Sequence, residues 1–427
     1  MDFVVNKIEA ISGSVKVPGD KSISHRSIIL GSISKGTTYV RDILLSEDVQ
    51  RTIGFFKKLG VSIEQKNKVI ALKGMAIEDF RPYTQELDMG NSGTSARLLL
   101  GLISGSPHAY VLNGDPFLKK RPMKRVTKPL EQMGAHIEYL EREDLLPIKI
   151  KGGNLRGIHY KLPVASAQIK SALILAGLHC SGKTVIEEPV ATRDHTEIMI
   201  QHFGGTVEKN NHFIQIKGNQ RLLANEVLVP GDISSAAFLL VLSAIVPKAE
   251  LMIEDVGLNP TRSGILHVLE SMGARMEILE ERVVNGERVG NILIRHSCLK
   301  AVTIEGDIIP TLIDEIPILA VAATQAEGIT VIRDAQELKV KESNRIDTVV
   351  SQLKKMGANI EASHDGMIIQ GPTKLKGATI DSEFDHRIAM AFAVAGMVAE
   401  GETKILKSEC IAVSFPEFTE ILKKISK

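Results

Sequence analysis

Tryptophan is absent from this 427-residue chain, and aromatic residues make up only 4% of it. Proteins that grip single-stranded nucleic acid stack bases on aromatic rings, so such a partner is not expected. An excess of one charge is missing too: 52 Lys and Arg stand against 51 Asp and Glu, a formal net charge of +1. A general nucleic-acid or membrane surface needs a basic balance that is not here. Cysteine is scarce, and Cys180, Cys298 and Cys410 are scattered without CxxC or His/Cys ligand spacing. Disulfides and structural zinc are therefore not expected, and a reducing cytoplasm is. No basic-then-apolar N-terminus marks a signal peptide. The apolar stretches are interrupted and too short to span a bilayer.

What is present is an ordinary globular composition, 44% hydrophobic and 24% charged, over a length that exceeds what one core usually serves. Two domains are expected. The organising phrase is Val17-Pro18-Gly19-Asp20, which returns as Val229-Pro230-Gly231-Asp232. Each copy ends an alternating apolar run and opens a long apolar helix, with Pro and Gly breaking the strand and a Ser placed for the N-cap. We read the two copies as the two crossings between similar halves. After the first come Lys21, Ser22 and Arg26. Cations in the first turns of a helix oppose its dipole, and a bound anion would explain them.

A weaker repeat runs through the whole chain. Helices close on Gly60, Gly134, Gly204, Gly273 and Gly357, each followed by a Glu-bearing strand. Gly in that place is the left-handed residue that ends a helix. Six apolar helices are predicted near residues 22–33, 91–103, 166–178, 234–246, 314–323 and 385–398, with Ser, Asn or Asp near each start. The units read strand–helix–strand–helix–strand–strand, three to a domain. The last unit lacks a strand, and the N-terminal segment is free to supply one. The fold class is thus α/β (α+β), with residues 1–19 plus 232–427 in one domain and 20–231 in the other. The cleft between them is the default ligand site.

Residues 177–184 match the P-loop pattern in full. A P-loop follows a strand and opens a helix; here a helix precedes and a β-rich run follows, so a repeat turn is expected instead. Gly90-Asn91-Ser92-Gly93 opens a helix that carries Arg97. Residues 119–125 hold five cations before a helix with Pro122 at its first position, which suits phosphate or a solvated face. Lys341, Glu342 and Arg345 cluster near another helix start, and Asp385-His386-Arg387 opens one with Asp385 as cap. Asp314 is weak evidence for catalysis alone, because an acid there also caps. Taken together, Lys21, Arg26, Arg97, Arg121, Arg193, Lys341, Arg345 and Arg387 lie at equivalent helix starts. They make a site for several negative charges, with Asp314 and Glu342 as proton-transfer groups within it.

Residues 18–26, 90–97, 121–125, 166–171, 314–315, 341–345 and 385–387 closely resemble the 3-phosphoshikimate 1-carboxyvinyltransferase (EPSP synthase) family, in order over essentially the whole chain. The resemblance implies the enolpyruvyl transferase fold, an inside-out α/β barrel in each of two domains of three βαβαββ units. It implies transfer of the enolpyruvyl group of phosphoenolpyruvate to the 5-hydroxyl of shikimate 3-phosphate. No metal and no cofactor take part, and the enzyme is expected to be a cytoplasmic monomer. Shikimate 3-phosphate is assigned Lys21, Ser22, Arg26, Ser166, Ala167, Gln168, Arg193, Asp314 and Lys341. Phosphoenolpyruvate, with glyphosate competing for its place, is assigned Lys21, Asn91, Gly93, Arg121, Gln168, Arg345, His386 and Arg387. Asp314, Glu342 and Lys21 are the catalytic set. Some relatives have Ser where Ala167 stands, hydroxyl side chains at Arg193, and Lys at Val413. The nearest rival is a UDP-N-acetylglucosamine enolpyruvyl transferase, which typically carries a reactive Cys near Arg121; none lies there. A P-loop NTPase and a non-catalytic anion binder are the other two.

Overall fold

A helix that is apolar all round must be covered on every side, and the computed structural model, describing residues 2–426, covers six of them. They are α1 (Lys21–Ile33), α2 (Gly93–Ile103), α3 (Ala167–Gly177), α4 (Ile233–Ile245), α5 (Ile316–Gln325) and α6 (His386–Gly396). Every residue of α4 is buried.

The chain divides into two units. A central unit takes Gly19–Val229 with Asn285–Glu287; a terminal unit takes the chain up to Pro18, Pro230–Val284 and the chain from Arg288 on. Each has its own core. In the central unit α1, α2 and α3 bury Leu30, Leu99 and Ile174 completely. In the terminal unit α4, α5 and α6 do the same with Leu240, Val321 and Phe392.

Around each core lie three small mixed sheets. The recurring connection is a strand, an inner helix and a second strand parallel to the first. Glu86–Asp88, α2 and Ala109–Asn113 form one such unit; His159–Lys161, α3 and Lys183–Glu187 form another. The pattern breaks at α1 and α4. Ile11–Lys16 precedes α1 in the chain but pairs with Ala249–Gly257, the strand after α4. Glu226–Leu228 precedes α4 but pairs with Gly36–Arg41, the strand after α1. In both places the paired strand stops just before the Pro of the repeated phrase, and the chain changes unit there. The last sheet has three strands, with Phe3–Val5 antiparallel to Thr403–Leu406.

The five helix-closing glycines have φ between +77° and +109°, the conformation that only Gly takes without strain. Several helix starts differ from the sequence reading. Asp20 caps α1, accepting from the Ile23 amide at 2.8 Å, and Asp232 caps α4, accepting from Ser234 at 2.9 Å. The Ser residues expected there lie inside the helices, because the Asp of the repeated phrase reaches the free amides first. α2 begins at Gly93 with Ser92 as cap, and Ser166 stands at the cap of α3 without bonding it. Pro122 lies outside its helix, which runs Lys124–Met133. Asp314 falls in a 3-10 turn, Ile313–Glu315; α5 starts at Ile316, next to Pro317, with Glu315 and not Asp314 at its cap position.

Candidate active site

Among the described residues no group of three or more His, Cys, Asp and Glu is placed to hold a metal ion. What the structure assembles is cations and acids at the N-terminal ends of inner and outer helices, one set in each unit.

In the central unit Lys21 opens α1 and forms an ion pair with Asp48, and Ser22 follows it half-buried. Arg26, a turn further in, is buried. Its Nε donates to Thr196 Oγ1 at 2.6 Å, one Nη to Ser171 Oγ at 2.7 Å and the other to the Ser22 carbonyl at 3.0 Å. His25 beside it is wholly buried with Nδ1 2.8 Å from the Thr52 hydroxyl, and burial drives its pKa down to about 3. It is neutral at pH 7, a packing residue and not a third cation.

Asn91 lies exposed in the turn before α2. Gly93 is the first residue of α2, and the left-handed glycine of this turn is Gly90, at φ +56°. A Cβ on Gly93 would stand 3.0 Å from an Arg97 Nη and 3.1 Å from an Arg121 Nη. Arg97 donates to Gln168 Oε1 at 2.6 Å and to the Pro122 carbonyl at 3.2 Å, while Gln168 Nε2 donates to Thr94 at 3.1 Å. Arg97 thus orients Gln168, a role the sequence reading did not see. Gln168 follows Ser166 and Ala167 at the start of α3. Arg193 precedes the helix His195–His202 and is half-buried.

The basic run is not one phosphate cradle. Lys119 pairs with Glu141 at 3.1 Å, and Lys124 with Glu143 at 2.5 Å. The helix start is taken by Asp144, whose carboxylate accepts from the amides of Met123 and Lys124. Glu141 and Glu143, in the loop before Ile148–Lys151, take up Lys119 and Lys124, and they lie too far along the chain for a local motif to show.

In the terminal unit everything turns on Arg345, the first residue of the helix Arg345–Lys355 and 1% exposed. Its Nε donates to Asp385 at 2.8 Å, one Nη to Asp314 at 3.2 Å and the other to Glu342 at 2.6 Å. Burial works against its charge, but Asp385, Glu342 and Asp314 outweigh burial and hold the guanidinium ionised. Lys341 Nζ also reaches Asp314, at 3.3 Å. Asp385 caps α6 at the Arg387 amide, as read, and is at the same time the principal partner of Arg345. Arg387 donates to the Asp314 carbonyl at 3.0 Å and to buried Glu315 at 3.2 Å. His386 is buried at the start of α6. The acids singled out by the sequence, Asp314 and Glu342, therefore share one guanidinium. The sequence reads Asp385 as a cap and Glu315 as an acid at a helix start, where an acid caps, and does not single out Asp48; only their burial shows the second role.

Residues 177–184 run as helix, turn and strand, with exposed Lys183 opening Lys183–Glu187. That is the reverse of a P-loop, as expected.

This layered arrangement of six inner helices and small outer sheets is the enolpyruvyl transferase fold. The enolpyruvyl transferase NikO from Streptomyces tendae superposes with a TM-score of 0.81 over 99% of this chain and 96% of its own, at 15% identity. EPSP synthase from Acinetobacter baumannii superposes with a TM-score of 0.89 at 44% identity, over 99% of this chain and 97% of its own. The family model for EPSP synthase (3-phosphoshikimate 1-carboxyvinyltransferase) matches residues 5–422, and the chain belongs to that family. The 3-phosphoshikimate 1-carboxyvinyltransferase of Brevibacillus brevis is 51% identical over 99% of both chains. That of Desulforamulus reducens is 50% identical over 100% of this chain and 99% of its own.

Proposed function

We infer how this chain's own residues carry out the reaction of its family. The chain transfers the enolpyruvyl group of phosphoenolpyruvate to the 5-hydroxyl of shikimate 3-phosphate and releases phosphate, a step toward the aromatic amino acids; UDP-N-acetylglucosamine is not favoured as acceptor. Shikimate 3-phosphate is bound by Lys21, Ser22, Arg26, Ser166, Ala167, Gln168, Arg193, Asp314 and Lys341. Phosphoenolpyruvate is bound by Lys21, Asn91, Gly93, Arg121, Gln168, Arg345, His386 and Arg387. Arginine suits both ligands, since its planar fork meets a carboxylate or phosphate with two parallel bonds.

The observation that carries the mechanism is the sharing of Arg345 by Asp314 and Glu342. Without ligand the guanidinium stabilises both acids in the ionised form. When the phosphoenolpyruvate carboxylate takes a face of Arg345, Glu342 loses that support beside a new negative charge and gains a proton. Asp314 keeps Lys341 and stays a base. Asp314 then accepts the proton of the 5-hydroxyl as its oxygen attacks C2, and Glu342 delivers its proton to the methylene carbon. The tetrahedral intermediate expels phosphate as Glu342 takes a proton back from its methyl group, and the proton held by Asp314 leaves with the phosphate. No metal or cofactor enters this scheme, and we place the enzyme in the cytoplasm as a monomer without a nucleic-acid partner. No helix among the described residues is long and apolar enough to cross a membrane.

Phosphate release is the test. It should require both substrates together and be absent with either alone. Release from phosphoenolpyruvate with UDP-N-acetylglucosamine, and none with shikimate 3-phosphate, would overturn the acceptor.

A further inference from the structure

Lys170 lies on α3, one residue before Ser171, and its side chain is 0% exposed. Nothing in the mechanism above uses it. Its ammonium is 3.2 Å from Glu188, 2.7 Å from Glu197 and 3.1 Å from the Thr192 carbonyl. The contact with Glu197 is an ion pair off the hydrogen-bond direction. Both acids are as buried as the lysine, and burial pushes the Glu197 carboxyl up in spite of Lys170. Glu188 also accepts from the Thr192 hydroxyl. A buried charge cluster of this kind is a poor source of stability, because desolvation offsets most of the attraction; its best-attested use is to fix one arrangement against others.

What it fixes is the segment from Glu188 to Glu197. Lys170 holds both ends of that segment and the carbonyl of Thr192, the residue before Arg193. Next to Glu197 is Thr196, and next to Lys170 is Ser171. The two hydroxyls bond each other at 2.7 Å and together accept two donors of Arg26. Two hydroxyl acceptors on different donors of one guanidinium set its plane.

We propose that Lys170, Ser171 and Thr196 are positioning residues for shikimate 3-phosphate: the buried Lys170–Glu188–Glu197 cluster clamps residues 188–197 against α3, so that Thr196 and Ser171 hold Arg26, and Thr192 holds Arg193, in the orientation that receives the phosphate. This rests on the reading that Arg26 and Arg193 bind that substrate.

Steady-state kinetics with each substrate varied in turn test it. Thr196→Val keeps the shape and removes the acceptor. It should raise the KM for shikimate 3-phosphate about tenfold, as for losing a hydrogen bond to a charged group. The KM for phosphoenolpyruvate and kcat at saturation should stay within about twofold, and Thr196→Ser should restore the first KM. Lys170→Met should raise the same KM and leave the other. If it fails to fold around two uncompensated carboxylates, the Thr196 pair still decides. An unchanged KM for shikimate 3-phosphate in Thr196→Val, or equal rises for both substrates with a fall in Tm, would overturn the proposal. Arg26→Ala separates the two levels. If it raises the KM for shikimate 3-phosphate while Thr196→Val does not, the positioning claim alone is wrong. If Arg26→Ala leaves that KM unchanged, the ligand reading fails and the proposal with it.

Discussion

Arg26 and Arg345 are both buried guanidinium groups at helix N-terminal ends, yet one is held by hydroxyls and the other by three carboxylates. On the roles proposed above, the first meets the phosphate of shikimate 3-phosphate and the second holds two acids until the phosphoenolpyruvate carboxylate arrives. Glu342→Gln keeps the contact to Arg345 but has no proton to give. Turnover should fall by roughly 10²–10⁴-fold, the usual cost of losing a general acid, with modest changes in either KM; near-normal turnover would remove Glu342 from the mechanism. At Gly93 the structure decides between two readings. The residue sits in helical backbone, so Ala there strains no left-handed turn, and the new methyl meets Arg97 and Arg121 instead. Gly93→Ala should raise the KM for phosphoenolpyruvate and weaken inhibition by glyphosate. The KM for shikimate 3-phosphate and the Tm should hold; equal losses for both substrates with a lower Tm would refute this. His25 gives a pH effect of definite sign. Its pKa is lowered to about 3 when folded and is about 6.5 when unfolded, so between those values the unfolded chain binds the extra proton and stability falls as pH falls. At pH 5 the loss from this group is about 2 kcal/mol relative to pH 7. Urea unfolding of His25→Gln should lose that much less than the parent chain on going from pH 7 to pH 5, and equal losses would count against it.

At the scale of elements the same local sequence is used in two ways. The Asp of the repeated phrase caps both α1 and α4, and only the first copy is followed by Lys21 and Arg26. After α4 the equivalent region is closed by its own network: Arg262 donates to Asp232 at 3.1 Å and to Ser234 at 2.5 Å, and Ser234 donates to buried Glu315. A repeat therefore predicts backbone, not chemistry. Residues 177–184 make the converse point, since a full P-loop pattern forms an ordinary turn because the helix comes before it. Lys183 is exposed at the start of the strand that follows that turn. Lys183→Ala should leave kcat and both KM values within about twofold, and ATP with magnesium should not raise the Tm. Protection by ATP would revive nucleotide binding.

For the whole molecule, the chain's first strand completes its last sheet. Phe3–Val5 pairs with Thr403–Ile405, and Val5 is buried against Gly396 of α6. Deleting residues 2–8 exposes the edge of Thr403–Leu406 and the end of α6. Hydrogen exchange should then show lost amide protection in Thr403–Leu406 and α6, while the sheets of the central unit keep theirs. Unchanged protection at residues 403–406 would show that the N-terminal strand contributes nothing to that sheet.

The sequence by itself determined the backbone grammar: six apolar helices, the five glycines that close the outer ones, and the turn and strand that follow. These depend on apolar periodicity, capping and left-handed glycine, all of which act within a few residues. It also marked Lys341 and Arg345, because cations at a helix start are locally unfavourable and so stand out; Asp314 and Glu342 gained weight only beside such cations. Only the tertiary structure decided which charges meet. Asp48 against Lys21, Asp144 across the start of Lys124–Met133, Asp385 on Arg345, and Glu188 and Glu197 on Lys170 are 18 to 40 residues apart in sequence. Each of these acids reads locally as a cap, a loop residue or a strand end. Its partner is set by how the helices pack, and packing also decides how strongly the pair attracts and how much desolvation offsets that attraction. That dependence on burial is invisible to local pattern, and it is where the site's chemistry lies.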